Sequence, residues 1–280
     1  MHAEIISLRV DDPFLGYPRQ IKAEYCVRDL SRQNPCLIYM GGISADTFGP
    51  EAVKPLEVIE VAEQLCFDTL RYNYVAHGRE ERYSEGTWLD ASISGGIADV
   101  FAVIDSIPSH QPVILIGSSI SVSAFSFLFR RYPPGKIKAA LGLIPVFPHT
   151  FLEQIHRKFP DILKCQTPQD LRGYFSDLGG ALRYRFEGMS HVELSLTLAQ
   201  YNDFLSCRND DLAPVSFSGP LDIILRENDP VAGPNNVLPR LQSYHYQNLT
   251  VKIMPGFVHN IASRVIYNNL LHLCASGVSS

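Results

Sequence analysis

The sequence predicts an α/β fold, built on a mostly parallel sheet of about eight strands with an inserted helical cap. The internal strand-like runs, such as "VILIG" at 113–117, are almost continuously apolar, which is typical of parallel strands covered by helices on both faces. From the fourth strand onward, strand-like and helix-like runs alternate along the chain. One long helix-leaning segment, residues 146–215, interrupts this alternation and forms the predicted cap.

The strands are predicted from short runs rich in β-branched, aliphatic and aromatic residues that end at Gly, Pro or polar clusters. In order they cover residues 4–10, 21–27, 36–40, 68–74, 112–117, 138–144, 221–226 and 249–254. The first two are mixed in polarity, which favours an antiparallel hairpin at one edge of the sheet. The α/β core therefore comprises residues 1–145 and 216–280, and the cap lies between the sixth and seventh strands.

The helices are predicted where apolar residues recur at helical spacing between these strands. They cover residues 52–66, 95–107, 120–131, 234–244 and 260–274. At 280 residues with 46% hydrophobic side chains, the chain can bury a sizeable core.

Charge and the N-terminal residues exclude several classes of partner. The net charge is −5 and no run of Lys or Arg exceeds two residues, so we expect no binding to nucleic acid. Glu4, Arg9 and Asp11 interrupt the region where a signal peptide would have its apolar segment, and no apolar run is long enough to span a bilayer. We expect a cytoplasmic protein without a membrane anchor.

No motif predicts a metal or a cofactor. The six cysteines are dispersed, without a C-x-x-C pair. The sequence contains no G-x-x-x-x-G-K-[ST], and no G-x-G-x-x-G follows the first strand, so no nucleotide cofactor is predicted. His191 and Glu193 match the H-x-E of zinc deaminases but lack the P-C-x-x-C that should follow. His149 and His156 have no carboxylate cluster nearby, so packing is the better interpretation of both.

The chemistry-bearing candidates follow the carboxyl ends of strands, where open α/β sheets bind ligands. After the fifth strand comes Gly117-Ser118-Ser119-Ile120-Ser121, which matches G-x-S-x-G except that Ser121 replaces the last Gly. Such a turn needs small residues at 117 and 121 and would present the Ser119 hydroxyl. A plain helix N-terminus capped by these serines is the alternative that the stretch alone leaves open.

An acid and a histidine follow the last two strands. Asp229 comes after the seventh strand and His259 after the eighth, so the chain has the order Ser, Asp, His of an α/β-type catalytic triad. Gly41 and Gly42, after the third strand, form a tight turn in which the Ile43 N–H could act as an oxyanion donor beside the Ile120 N–H.

With these motifs the chain resembles the α/β-hydrolase superfamily over nearly its whole length. "RYNYVAHGRE" at 71–80 is similar to the superfamily's R-x-D-x-x-G-x-G-x-S, with Asn73 in place of the Asp and Ala76 in place of the first Gly. Within the superfamily, Ser118 to Ser121, Gly42-Ile43 and Asn228-Asp229 resemble motifs of the bacterial luminescence acyl-transferases, which are thioesterases acting on fatty acyl-carrier-protein.

The resemblance implies acyl transfer through a covalent acyl-enzyme on Ser119, with His259 as the base and Asp229 as its partner. The implied substrate is a small-molecule acyl ester or thioester, delivered by an acyl carrier protein or CoA, and no cofactor is implied. The sequence leaves open whether the protein forms a homodimer.

Three questions stay open from the sequence. The cap aromatics either line an acyl pocket or pack the cap onto the sheet; they are Phe147, Phe151, Phe159, Tyr174, Phe175, Tyr184, Phe186, Tyr201 and Phe204. The same fold also serves natural-product cyclases or lyases, in which Ser119 and His259 act as acid and base. A non-catalytic binding protein is the third possibility.

Overall fold

The computed structural model describes residues 2–28, 34–42, 53–74, 84–185, 193–211, 215–256 and 263–277. Its main sheet has eight strands. They are β1 (His2–Asp11), β2 (Pro18–Val27), β3 (Cys36–Met40), β4 (Asp68–Tyr72), β5 (Val113–Ser118), β6 (Ile137–Leu143), β9 (Ser216–Arg226) and β10 (His245–Met254).

The spatial order of these strands is β1-β2-β4-β3-β5-β6-β9-β10. Strand β2 runs antiparallel to both of its neighbours, and the other described pairs are parallel. The predicted mostly parallel sheet and its edge hairpin are thus confirmed. Every residue of β3 and of β5 is buried, as their continuous apolar runs require.

The helices of the core connect these strands. They are α1 (Val53–Gln64), α2 (Ile93–Asp105), α3 (Ala124–Arg131), α7 (Pro234–Gln242) and α8 (Ser263–Gly277). The α1 connection moves toward the hairpin edge, whereas those through α2, α3 and α7 move the other way. Because such crossovers are right-handed, α1 lies on one face and the other three on the opposite face. Helix α8 packs beside α1 and against β6 and β9.

The inserted segment contains more than helices. Its helices are α4 (Pro148–Lys158), α5 (Pro168–Asp177) and α6 (Leu198–Asp211). Between α5 and α6, the strands β7 (Ala181–Arg185) and β8 (Glu193–Thr197) form a separate antiparallel pair. The sequence predicted a helical cap over the whole of residues 146–215, and the β7–β8 pair departs from that prediction.

Strand β9 also begins earlier than predicted. It extends from Ser216 because its first residues pair with those of β10. Asp222, which the shorter predicted strand placed at its start, therefore lies inside the strand. It is buried, and its carboxylate accepts a bond from Lys252 at 3.3 Å. Lys252 also contacts Asn269 of α8, so Asp222 helps to attach that helix to the sheet.

A buried ion-pair cluster joins the edge hairpin to α2. Arg19 of β2 lies 2.5 Å from Asp12 and 2.6 Å from Asp99, and all three side chains are at most 2% exposed. Asp12 also accepts bonds from the backbone N–H groups of Phe14 and Leu15. Removing one member of such a cluster leaves a buried charge without compensation.

Among the described residues, no helix is both long and apolar enough to cross a lipid bilayer.

We predict that Arg19→Met destabilises the fold by about 3–5 kcal/mol, because Asp12 and Asp99 then stay buried without their cation. The measurement is the free energy of unfolding in urea. Arg9→Met is the matched control, since the Arg9 and Asp11 side chains are 74% and 87% exposed; its effect should stay within about 0.5 kcal/mol. Equal losses in the two variants would contradict the prediction.

Candidate active site

Ser119 occupies a sharp turn between β5 and α3. Strand β5 ends at Ser118, Ser119 has a φ of +57°, and a short 3-10 turn covers Ser119–Ser123 before α3 begins. A left-handed backbone at a non-glycine residue is costly and is held in place by the surrounding structure. In a strand-to-helix turn, such a conformation directs the serine side chain away from the end of the strand. A simple helix cap does not require it.

The two small residues predicted to flank this turn have distinct roles. A Cβ at Gly117 would lie 3.1–3.2 Å from side-chain atoms of Phe125 and Val122, so a side chain there would crowd the helix packed on the strand. Ser121 has room for its hydroxyl, whose oxygen accepts a bond from the Ser118 N–H at 2.8 Å. The same oxygen lies 2.9 Å from the carbonyl oxygens of Met40 and of Ser118, either of which can accept its proton. Ser121 therefore ties the turn to β3, which a glycine there could not do.

The Gly41–Gly42 turn lies against Ser119. It follows β3, whose last residue, Met40, pairs with Gly117 of β5. A Cβ at Gly42 would lie 3.2 Å from the Ser119 Cβ and 3.9 Å from its Oγ. The structure thus brings the predicted oxyanion loop to the predicted nucleophile. Ile43 lies outside the described residues, whereas Ile120 is buried in the 3-10 turn.

Asp229 is buried in the loop after β9 and is 4% exposed. Its Oδ1 accepts bonds from the N–H groups of Val231 and Ala232, both at 2.8 Å, which fix the orientation of the carboxylate. Strand β9 neighbours β6, and β6 neighbours β5. Asp229 and Ser119 therefore both lie at the carboxyl ends of these parallel strands. A Cβ at Gly233 would lie 2.5 Å from the Asp229 carbonyl oxygen, which explains the glycine in this loop.

His259 lies outside the described residues, which continue from β10 to Gly256. The Gly256 carbonyl accepts a bond from the Asn228 N–H at 3.1 Å, and the Met254 carbonyl accepts one from the Glu227 N–H at 2.8 Å. The described chain after β10 therefore stops beside the loop that carries Asp229.

Two tyrosines, Tyr39 and Tyr74, form hydrogen bonds with Ser118 and Ser121 beside the nucleophile turn. The sequence did not predict a role for either. Burial raises the pKa of Tyr39, and its hydrogen bond with Ser118 opposes that rise. Burial likewise raises the pKa of Tyr74, against hydrogen bonds with Tyr72 and Ser121. Both hydroxyls therefore stay protonated near neutral pH. No local pattern marks the contacts with Ser118 and Ser121, because these serines are far along the chain from Tyr39 and Tyr74.

The turn after β6, residues 144–146 and hereafter the post-β6 turn, contacts Ser119 from the other side. Ile144 has a φ of +45°, and its N–H donates to the Ile224 carbonyl at 2.7 Å. Two residues later, the Val146 N–H donates to the Ser119 carbonyl at 3.1 Å. No motif of the sequence predicts a role for this turn.

The cap is attached to the core at the start of α2. Asp203 of α6 accepts bonds from the N–H groups of Ile93 and Ser94 at 2.7 and 3.1 Å, and from the Ser94 hydroxyl. Burial raises the pKa of Asp203, and the bonds from Ser94 oppose that rise. The Gln200 side chain donates to the Ala91 carbonyl at 2.8 Å.

An open groove of about 680 Å³ lies between α2 and α6, and its lining includes neither Ser119 nor Asp229.

Several of the cap aromatics pack on one another. Phe151 and Phe204 stack with centroids 4.4 Å apart, and Phe175 lies 5.7 Å from Tyr201. Six of the nine named aromatics are buried: Phe147, Phe151, Phe175, Tyr184, Tyr201 and Phe204. Phe159 and Tyr174 are partly buried, and Phe186 lies outside the described residues. For these two pairs the contacts favour packing of the cap over lining of a pocket.

In the described part of the chain, no group of three or more His, Cys, Asp or Glu side chains could hold a metal ion. His149 Nε2 lies 3.2 Å from the Thr150 hydroxyl, and His156 Nε2 lies 2.9 Å from the Tyr201 hydroxyl. His191 lies outside the described residues.

Neither a protein-family model nor a curated protein matches the sequence. Solved structures do match over the full chain. A candidate hydrolase from Agrobacterium vitis S4 has a TM-score of 0.75 at 18% identity, covering 98% of this chain and 99% of its own. Alpha/beta hydrolase domain-containing protein 10 from mouse has a TM-score of 0.71 at 15% identity, covering 97% and 98%. Est1E from Butyrivibrio proteoclasticus, with ferulic acid bound, has a TM-score of 0.65 at 15% identity, covering 98% and 100%.

These likenesses and the strand order establish the α/β-hydrolase fold for this chain, as the sequence motifs predicted. At such low identity they establish the fold alone.

We predict that Ser121→Ala destabilises the protein by about 1–3 kcal/mol, because the buried Ser118 N–H loses its acceptor. Thermal and urea unfolding measure the effect. Ser123→Ala is the matched control, because the Ser123 hydroxyl is equally buried but donates to the Ile120 carbonyl within its own turn, at 2.7 Å. It should cost less than about 1 kcal/mol. A control that costs as much as Ser121→Ala would show that the loss does not come from the Ser118 N–H losing its acceptor.

Proposed function

We propose that the protein is a serine hydrolase or acyltransferase that cleaves an ester or thioester through an acyl-enzyme on Ser119. The observation that carries the proposal is the left-handed backbone of Ser119 at the end of β5, with Gly42 directly beside its side chain. A nucleophile at a strand end needs this sharp turn and this neighbouring backbone, whereas a capped helix needs neither.

In the proposed first step, the Ser119 Oγ attacks the acyl carbonyl carbon while His259 takes the hydroxyl proton. The carbonyl oxygen becomes an oxyanion, which the N–H groups of Ile43 and Ile120 receive. As the carbonyl re-forms, the bond to the alcohol or thiol breaks, and His259 returns the proton to that leaving group.

Asp229 is the proposed partner of His259. The two backbone N–H groups on Oδ1 hold the carboxylate in one orientation, so Oδ2 is the oxygen that we assign to the imidazole N–H. The carboxylate fixes the tautomer and stabilises the charged imidazole. The Asn228 bond to Gly256 supports this assignment, because it holds Gly256, three residues before His259, beside the loop of the acid.

In the second step, water or another nucleophile attacks the acyl-enzyme and releases Ser119. Ferulic acid bound to the structurally similar Est1E supports an acyl substrate in general terms. The resemblance to the luminescence acyl-transferases favours a fatty acyl thioester carried by an acyl carrier protein or by CoA. The finer choice of acyl chain and leaving group forms part of the proposal.

We predict that a fluorophosphonate adds its mass to Ser119 and that Ser119→Ala abolishes the labelling. p-Nitrophenyl esters and acyl thioesters of graded length should be hydrolysed with a chain-length optimum. Asp229→Asn keeps an acceptor for the backbone N–H groups but loses the one for the imidazole, so kcat should fall about a thousandfold or more.

Glu227→Gln serves as the control, because it removes a neighbouring carboxylate whose side chain is exposed. Its kcat should stay within about twofold of the wild type, as is usual for surface substitutions. Absence of labelling at every pH would favour a lyase, a cyclase or a binding protein over the proposed hydrolase.

We also predict that Gly42→Ala lowers kcat about tenfold or more, because the added methyl group presses on Ser119 and displaces its hydroxyl by a few tenths of an ångström. Gly173→Ala is the matched control, since a Cβ at Gly173 meets no atom within 4 Å and the residue lies inside α5. It should leave kcat unchanged and stabilise the protein by about 0.5–1 kcal/mol. Equal activities for the two variants would place Gly42 outside the reaction.

A further inference from the structure

Two left-handed residues stand side by side at the ends of neighbouring strands. Ser118 of β5 pairs with Leu143 of β6, so the residues that follow them, Ser119 and Ile144, leave the sheet at the same level. Their φ angles are +57° and +45°. The first belongs to the proposed nucleophile, and the proposed reaction does not use the second.

Ile144 is poorly suited to this conformation. A β-branched residue with a positive φ is an outlier, and the following Pro145 further restricts the backbone of residue 144. A strand that simply ended at Leu143 would not need it. The conformation is nevertheless enforced, because the Ile144 N–H donates to the Ile224 carbonyl and the side chain is 1% exposed.

The turn directs the next residues onto Ser119. The Val146 N–H donates to the Ser119 carbonyl at 3.1 Å. That carbonyl shares a peptide group with the N–H of Ile120, which is one of the two proposed oxyanion donors. Because a trans peptide is planar, with its C=O and N–H pointing in opposite directions, orienting the carbonyl also orients the Ile120 N–H. A bond to the carbonyl also polarises the peptide and strengthens its N–H as a donor.

We propose that the post-β6 turn is a positioning element of the active site, in which the left-handed Ile144 places the Val146 N–H on the Ser119 carbonyl and so aims the Ile120 N–H at the oxyanion. The inference rests on the proposed function. Ile144 and Val146 are positioning residues, since neither is assigned a contact with the reacting atoms.

The first experiment compares Ile144→Gly with Ile144→Ala. Both remove the buried side chain, but only glycine adopts the left-handed backbone without steric cost. We expect the glycine variant to keep a kcat about threefold or more above that of the alanine variant, each measured per active site titrated with fluorophosphonate. A purely structural role predicts the reverse order, because alanine retains more of the side chain. Equal values or the reverse order would overturn the proposal.

The second experiment removes only the donor. Val146 is replaced by its α-hydroxy analogue, 2-hydroxyisovalerate, during translation, which changes the 145–146 amide into an ester and keeps the side chain. We expect kcat to fall on the order of tenfold while KM stays within twofold, because the oxyanion forms only after substrate binds. A kcat within twofold of the wild type would overturn the proposal.

A pair of inhibitors distinguishes a specific effect on the Ile120 N–H from a general loss of order in the active site. A trifluoromethyl ketone forms an oxyanion adduct with Ser119, whereas the corresponding alcohol binds without one. In the ester variant, inhibition by the ketone should weaken by the same factor as kcat/KM, and inhibition by the alcohol should stay unchanged. Equal weakening of both inhibitors would count as loosening and overturn the proposal.

The outcome for the proposed function is read separately, from the wild-type protein. Fluorophosphonate labelling of wild-type Ser119 with unchanged kinetics in the ester variant would reject the positioning role and leave the hydrolase standing. A wild type that neither labels nor turns over any ester would reject the hydrolase, and the positioning role with it.

Discussion

The left-handed backbone of Ser119 is the constraint on which the rest of the candidate site depends. Contacts from much of the surrounding structure hold it in place. Three neighbouring strands contribute. Strand β5 supplies Gly117, which leaves room for Phe125, and β3 is tied to the turn through Ser121 and the Met40 carbonyl. After β6, the Val146 N–H binds the Ser119 carbonyl. Because each contact comes from a different strand, the conformation persists only while the register of the sheet is kept.

The charged groups in the interior connect the parts that carry the site. Arg19, Asp12 and Asp99 join the edge hairpin to α2, and Asp203 joins the cap to the start of the same helix. Helix α2 is thus attached both to the sheet edge and to the cap. Buried ion pairs add less net stability than their short distances suggest, but they disfavour any packing that separates the partners. They therefore help to define one arrangement of cap and core.

Much of the fold could be predicted from local patterns. The continuous apolar run of β5 and the helical spacing of α2 reappear within two residues of their predicted bounds. The β7–β8 pair and the early start of β9 were missed, because each depends on a partner strand that is distant or polar in sequence. Pairing energy comes from the neighbouring strand, and a single-chain pattern does not contain it.

The site divides in the same way. The sequence by itself determined which residues follow the carboxyl ends of the strands, and so singled out Ser119, Asp229 and Gly42, because strand order along the chain decides which edge they occupy. Only the tertiary structure decided that Ser119 is left-handed, that Ser121 ties its turn to β3, and that Ile144 and Val146 contact it from β6. These features arise from contacts between strands far apart in the chain, and φ at a β-branched residue is dictated by such contacts against the residue's own preference.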